Sequence, residues 1–260
     1  KIGLSALAGA LAMTSANAGS MSLSGSMEAT WTTGSGYTTT GQPLGMDKEL
    51  TVKGSTELDN GTAVNYKQTI TDALAFNDSE IAFVTDGLGT IALTSAGAPI
   101  SAIDDVTPTA FEEANALLGS IDDVNGADGT YGIRYTLADV AGSGFTFDAF
   151  YTAKHGAGDA NADNGTGGSA AAQNDDAWDV VVKGNIPGVD GLAVGAGYSV
   201  LNNILSTTNS DAVKPSTTKQ DEGTAYATYA YGPFKVGYQI GAVSTGGNVL
   251  YKNQYYGVSY

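Results

Sequence analysis

Residues 21–32 read MSLSGSMEATWT, and their side chains alternate in polarity along the whole stretch. The odd-numbered positions carry the apolar or small residues Met21, Leu23, Gly25, Met27, Ala29 and Trp31, and the even-numbered positions carry serine, threonine and glutamate. Successive side chains of a β-strand point to opposite faces of the sheet. The stretch therefore predicts a strand with one apolar and one polar face.

The same two-residue period returns along the chain and predicts about twelve strands. After residues 21–32 the predicted strands cover about 49–58, 64–71, 79–85, 90–95, 131–137, 145–152, 177–184, 192–200, 224–231, 234–243 and 254–260. Short hairpin turns such as Asp59-Asn60-Gly61 and Gly232-Pro233 alternate with long polar loops at about 33–45, 72–78, 96–130, 153–176, 201–222 and 244–253. This places all the long loops at one end of an antiparallel up-and-down meander. Transmembrane β-barrels have that layout, with aromatic residues near the strand ends.

The composition agrees with a membrane barrel and excludes other classes. The chain has 27 acidic and 11 basic residues, a formal net charge of −16, which argues against binding nucleic acid through its phosphates. Charged residues make up 15 % of the chain, below the roughly 25 % of soluble domains. No window approaches the roughly 18 consecutive apolar residues of a membrane-spanning helix. The 36 glycines and 14 tyrosines suit a turn-rich all-β chain.

The N-terminal residues have the layout of an export signal. Lys1 precedes the apolar run IGLSALAGALAM at residues 2–13, and Ala16-Asn17-Ala18 follows as an A-x-A cleavage site. A buried N-terminal helix is the alternative. The predicted organisation is a signal peptide at 1–18 and one barrel domain at 19–260.

The third long loop stands out by its length and charge. Between Ser95 and Thr130 it contains no Lys, Arg or His and seven acidic residues, namely Asp104, Asp105, Glu112, Glu113, Asp122, Asp123 and Asp128. Loops of this length without structure of their own are uncommon unless they are functional. Thr107-Pro108 ahead of residues 109–118 predicts a short capped helix inside the loop.

With this signal, these alternating strands and this third loop, residues 1–260 resemble the Gram-negative general porins. The resemblance implies an outer-membrane β-barrel of sixteen strands, assembled as a homotrimer in outer-membrane lipid, whose third loop folds into the lumen. It further implies a water-filled channel for passive diffusion of small hydrophilic solutes and ions, without a cofactor or catalytic residues.

The resemblance also implies a constriction in which acidic loop residues face a basic wall. On the loop these are Asp104, Asp105, Glu112, Glu113, Asp122 and Asp123. By alternation, the bases on the polar faces of the strands are Lys53, Lys67, Arg134, Lys183 and Lys235. Carboxylates that line a pore favour cations, so the acidic loop predicts weak cation selectivity. The alternative is that the acids solvate an outer loop and the bases pair locally.

The strand count leaves two interpretations of the chain open. Twelve predicted strands fall short of sixteen, and Tyr260 lies inside the last alternating segment, so the chain is expected to be incomplete. Alternatively, Tyr260 is the terminal aromatic residue of a complete twelve-stranded barrel.

Other functions find weaker support in the sequence. Residues 159–165, DANADNG, echo a calcium-binding loop, but the glycine is one position late and the twelfth position is Ala170, so no metal site is predicted. His155 has no G-x-S-x-G motif to accompany it in a hydrolase. The competing function class is a secreted all-β adhesin or structural protein, which would bury the apolar strand faces that a barrel turns toward lipid.

Overall fold

The protein is an antiparallel all-β chain with twelve strands. The computed structural model describes residues 19–31, 44–71, 76–95, 97–108, 124–127, 130–153, 155, 175–204, 218–245 and 249–260. The strands are β1 Ser20–Trp31, β2 Leu44–Glu57, β3 Ala63–Thr71, β4 Phe76–Thr85, β5 Gly89–Thr94, β6 Gly132–Leu137, β7 Phe145–Thr152, β8 Ala177–Asn185, β9 Leu192–Ile204, β10 Thr218–Tyr231, β11 Phe234–Thr245 and β12 Val249–Ser259. None of the helices in these residues is long and apolar enough to cross a membrane.

Each strand neighbours the strands before and after it in the sequence, so the order runs from β1 to β12. This confirms the predicted up-and-down meander. β1 and β12 stand at the two ends of this order, and no pairing between them occurs in the described residues. The chain divides into two compact units, one ending at Asp86 with β1–β4 and one beginning at Gly87 with β5–β12.

The strands that border the long loops run further than their apolar pattern predicts. β10 begins at Thr218, where alternation predicts a start at 224, and β12 begins at Val249 instead of 254. The added part of β10 carries Lys219 and Asp221 on the face that is apolar further along. An apolar face is required only where a strand crosses hydrocarbon, so a polar strand end escapes a prediction based on apolar alternation.

Within the described residues, the apolar strand faces are not buried against a second layer. Leu50 is exposed, and Val52, Val64 and Val180 are half-buried. The exposed set of large apolar residues in the second unit includes Ile91, Leu93, Ile133, Tyr198, Val236, Tyr238 and Ile240. A soluble sandwich would cover such a face. The exposed apolar face is therefore the one expected to meet lipid.

Buried residues instead collect on the opposite face of the second unit, beneath the third long loop. Ala98, Ile100, Ile103, Val124 and Ala127 of the loop form one cluster with wall residues from β7, β8, β9 and β11, namely Phe150, Ala177, Val181, Leu201 and Val243. The loop is thus the layer that closes the apolar core of this unit.

Candidate functional site

The first described segment of the third loop, residues 97–108, lies on the polar face of the sheet. Its apolar residues Ile100, Ile103 and Val106 recur every third position, with a short 3₁₀ helix at Ser101–Ile103. Ile100 and Ile103 are fully buried, whereas Ala102, which precedes Ile103, and Asp105, which precedes Val106, are exposed. The segment therefore has one side against the wall and one side away from it.

Glycines on the wall give the loop room to approach. A Cβ added at Gly197 on β9 would lie 2.9 Å from Cγ1 of Ile100. On β11 and β12 the paired residues Gly237 and Gly257 meet Pro108, where an added Cβ would lie 2.7 Å from Pro108 Cδ and 2.3 Å from Pro108 O, respectively. Real Cβ atoms do not approach other atoms so closely, so a larger residue at any of the three positions would displace the loop. We call Gly197, Gly237 and Gly257 the glycine seat of the loop.

Gln239 on β11 binds the backbone of the same segment. Its side chain is completely buried. The amide nitrogen Nε2 donates to the carbonyl oxygen of Ile103 at 2.8 Å and to that of Asp104, and the amide oxygen Oε1 accepts from the N–H of Val106 at 3.0 Å. We call this group the Gln239 anchor.

Glu222 on β10 binds the second described segment of the loop, residues 124–127. Its carboxylate oxygen Oε2 accepts from the backbone N–H of Asn125 at 2.9 Å and of Gly126 at 2.7 Å. Glu222 is 2 % exposed. A buried carboxylate with two N–H donors is well satisfied, because charge-assisted hydrogen bonds are the stronger ones. We call this group the Glu222 anchor.

The predicted loop acids separate into two groups in the structure. Asp105 is exposed on the side of the loop that faces away from the wall, and Asp104 is half-buried with its carbonyl oxygen on Gln239. Glu112, Glu113, Asp122 and Asp123, together with the predicted helix at 109–118, lie outside the described residues.

The predicted wall bases occupy the polar faces of both units. In the first unit Lys53 and Lys67 are directly opposite each other on β2 and β3, and both line a cavity of about 420 Å³ with Glu80. Lys67 Nζ lies 3.9 Å from Asp78 Oδ2. In the second unit Lys183 Nζ lies 3.7 Å from Asp148 Oδ2, and Arg134 is half-buried on β6. Lys67 and Lys183 thus each have a carboxylate on a neighbouring strand within 4 Å.

The anchors and the glycine seat were not predicted from the sequence, which pointed only to the loop acids and the wall bases. Glu222 and Gln239 occupy polar-face positions, which alternation predicts to face water. Their partners are backbone groups of a loop 96 to 136 residues away in the sequence, however, and such pairs leave no local pattern.

His155 contacts the backbone of β9. His155 is buried, and its Nε2 lies 2.7 Å from the carbonyl oxygen of Asn202, which ties the chain after β7 to β9. The described residues include no group of three or more His, Cys, Asp or Glu able to hold a metal ion. The calcium-like stretch 159–165 falls in a part of the chain that is not described.

On the outward face of the second unit, aromatic rings pair near both ends of the strands. Trp178 and Tyr198 lie near the long-loop end with ring centroids 5.8 Å apart, and Phe234 and Tyr260 lie near the short-turn end at 4.8 Å. Membrane barrels carry such aromatic residues at the two membrane interfaces.

An antiparallel meander with an exposed apolar face, aromatic rings at both rims and a long loop folded onto its polar face defines an outer-membrane β-strand channel protein. A comparison with family models agrees, matching the Gram-negative porins over residues 3–260. The chain belongs to the Gram-negative porin family and is a protein of the outer membrane. The adhesin alternative, which required a buried apolar face, is not supported.

Solved structures of porins resemble the chain in fold at low sequence identity. The OmpF of Salmonella typhi, solved in complex with daunomycin, has 14 % identity and a TM-score of 0.56 over 92 % of this chain and 73 % of its own. A mutant of the Rh. blastica porin has 12 % identity and a TM-score of 0.45 over 93 % of this chain and 99 % of its own. No curated protein sequence matches.

Proposed function

We propose that the protein is a passive diffusion channel for small hydrophilic solutes and ions, whose third loop narrows the path. The observation that carries the proposal is the loop itself, which lies on the polar face of the sheet, anchored by Gln239 and Glu222, with Asp105 turned away from the wall. A loop that projected beyond the strand ends would make none of these contacts.

Solute diffusion is tested by the swelling of liposomes that contain the purified protein. Uncharged sugars of increasing size should enter at rates that fall smoothly with size and do not saturate with concentration, because a water-filled path has no binding step to fill. Saturation by one sugar at low concentration would contradict non-specific diffusion.

We further propose weak cation selectivity, set by the loop acids and opposed by the bases on the polar faces. Exposed carboxylates attract cations, and salt shortens the reach of their field to about 8 Å at physiological ionic strength. Reversal potentials across a KCl gradient should therefore have the cation sign and shrink as salt rises. Asp105→Asn should move them toward anions, as should Glu112→Gln with Glu113→Gln. An anion-selective wild type would contradict this part of the proposal.

The signal peptide at 1–18, the single barrel domain at 19–260 and the homotrimer are proposed on the family resemblance. For the trimer, the unheated protein should migrate in detergent gels at about three times the mass of the heated chain. A monomer by both migration and cross-linking would contradict it. The basic wall of Lys53, Lys67, Arg134 and Lys183 stays a prediction.

A further inference from the structure

We propose that Gln239 is a positioning residue of the channel, a side chain that fixes how far residues 103–106 of the third loop stand off the wall. The inference rests on the proposed function, because it makes the width of the path depend on this loop. It goes beyond that function by assigning control of the loop to a residue on β11 that touches no solute.

The Gln239 amide matches the loop backbone on both of its polar atoms. Nε2 has two hydrogens and three acceptors around it, the carbonyl oxygens of Ile103 and Asp104 and the hydroxyl of Thr224 at 2.9 Å. Oε1 receives the N–H of Val106. The carbonyl oxygens can accept but not donate, so the two ends of the amide cannot be exchanged.

Thr224 on the neighbouring strand fixes the orientation of the amide. Its hydroxyl donates to the carbonyl oxygen of Ile240 at 3.2 Å and so presents a lone pair to Gln239 Nε2. Thr224 is 5 % exposed and Gln239 is 0 % exposed. Water therefore cannot replace the amide without a rearrangement, and the contact has the low dielectric in which a hydrogen bond is strongest.

Apolar contacts between residues 97–108 and the wall have no preferred direction, whereas hydrogen bonds do. Ile100 and Ile103 pack on Gly197 and Val181, and apolar packing of this kind permits sliding along the wall. The Glu222 anchor holds a different segment, residues 125 and 126. The Gln239 anchor, in contrast, joins the wall to three successive peptide units between Ile103 and Val106, and this is why we assign positioning to it.

The sequence contains no cysteine, so one introduced thiol can be labelled without a competing thiol. Ile103→Cys places one thiol on the buried side of the loop, and its labelling by a charged, lipid-insoluble thiol reagent reports how often the loop leaves the wall. Adding Gln239→Met, which keeps the length of the side chain and removes its hydrogen bonds, should raise the labelling rate at least about tenfold, the equivalent of roughly one lost hydrogen bond.

The matched control is Gln254→Met in the same single-cysteine chain. Gln254 is an exposed glutamine on the outward face of β12, hydrogen-bonded to the hydroxyl of Tyr256 at 2.9 Å, and it lies on the face opposite to the described loop residues 97–108 and 124–127. Its substitution should leave the labelling rate unchanged. Equal labelling in the Gln239→Met and Gln254→Met chains would overturn the proposal.

Gln239→Glu distinguishes the loss of the hydrogen bonds to the loop from a general disturbance of the packing. A carboxylate there would face the carbonyl oxygens of Ile103 and Asp104 with no proton to donate, so labelling should be fast at neutral pH. Protonation at acid pH restores one donor, so labelling should slow toward the wild-type rate as pH falls, after correction for the reactivity of the free thiol. A rate insensitive to pH would show that the residue only fills space, and would overturn the proposal.

Conductance gives a readout that depends on the proposed function. In chains without the Ile103→Cys substitution, Gln239→Met should show a lower mean conductance and more frequent closures than Gln254→Met, because a loop released from the wall can move into the path. If the wild-type protein forms no channel, the proposed function fails, whereas the labelling contrast still decides the role of Gln239.

Discussion

Gly257 has only a hydrogen atom as its side chain, and this allows the loop to approach β12 closely. The backbone of Pro108 lies where any larger side chain would begin, and Gly237 on β11 repeats the arrangement one strand away. Glycine at these positions is required by the close approach of another chain segment and not by an unusual backbone conformation, because neither residue has a positive φ.

Gly257→Ala should therefore destabilise the protein by about 1–3 kcal/mol, the usual cost of overpacking a close contact. The free energy of unfolding in urea, measured on protein refolded into detergent micelles, checks this. Gly223→Ala is the control, because a Cβ there would lie 3.7 Å from its nearest neighbours, an ordinary contact. Equal effects of the two substitutions would contradict the seating of the loop on β12.

The residues of the site were predictable to different degrees. Asp105 was predicted from its place in an acidic loop, and Lys53, Lys67, Arg134 and Lys183 were placed on the polar face by simple alternation. Gln239, Glu222 and the glycine seat were not predicted, because their roles depend on a segment that is distant in the sequence. Alternation assigns a side chain to a face, but it does not tell which polar residue on that face will be covered.

At the scale of elements, the loop depends on the second anchor for its turn at residues 124–127. Two successive N–H groups point at one carboxylate oxygen of Glu222, and both would be left without this acceptor if the side chain were removed. A buried polar group that loses its partner costs about 1–3 kcal/mol.

Glu222→Ala should thus speed hydrogen exchange of the Asn125 and Gly126 amides, measured by mass spectrometry on peptides that cover them. Glu222→Gln, which keeps one acceptor oxygen, should have the smaller effect. Exchange in the β11 peptide around Tyr238 should stay unchanged in both variants. Unaltered exchange at residues 125 and 126 in Glu222→Ala would show that the turn is held by other contacts.

The strand elements also show where alternation stops being informative. The apolar face of β10 extends from Gly223, opposite Tyr198, to Tyr231, which is about 27 Å along the strand at roughly 3.4 Å per residue. At a tilt of about 40° this corresponds to about 20 Å across the membrane, close to the apolar band of such proteins. The polar residues Lys219 and Asp221 beyond it were predicted as loop although they belong to the strand.

At the scale of the whole molecule, one face of the sheet is expected to contact lipid and the other to contact water. The outward face is expected to meet lipid, and the opposite face carries the charged residues and the loop. Ala225 lies near the middle of the outward face of β10 and is exposed. Ala225→Arg should therefore lower the free energy of unfolding from lipid bilayers by about 2–4 kcal/mol.

Ala225→Leu is the matched control for that variant and should be neutral or slightly stabilising, because it adds apolar surface toward lipid. Both variants are compared by urea titration of the protein folded into vesicles. An arginine tolerated as well as the leucine would show that this face is in water, and the lipid-facing assignment would be wrong.

The fold was predictable at this scale because its signal is repeated. The two-residue period occurs in every strand, and short turns alternate with long loops along the whole chain. Errors of a few residues at strand ends therefore left the predicted topology of the twelve strands unchanged. The loop of residues 96–130 occurs once, and only its length and charge marked it. Its anchors are contacts between segments distant in the sequence and have no such repeated signal.

Single-channel recording in planar lipid bilayers tests the central claim, a water-filled channel, most directly. The purified protein should produce discrete conductance steps that rise in proportion to the conductivity of the bathing KCl solution, since the ions cross in water. Membranes that remain without steps while gels and spectra show folded protein would contradict the account, as would a conductance that saturates at low salt.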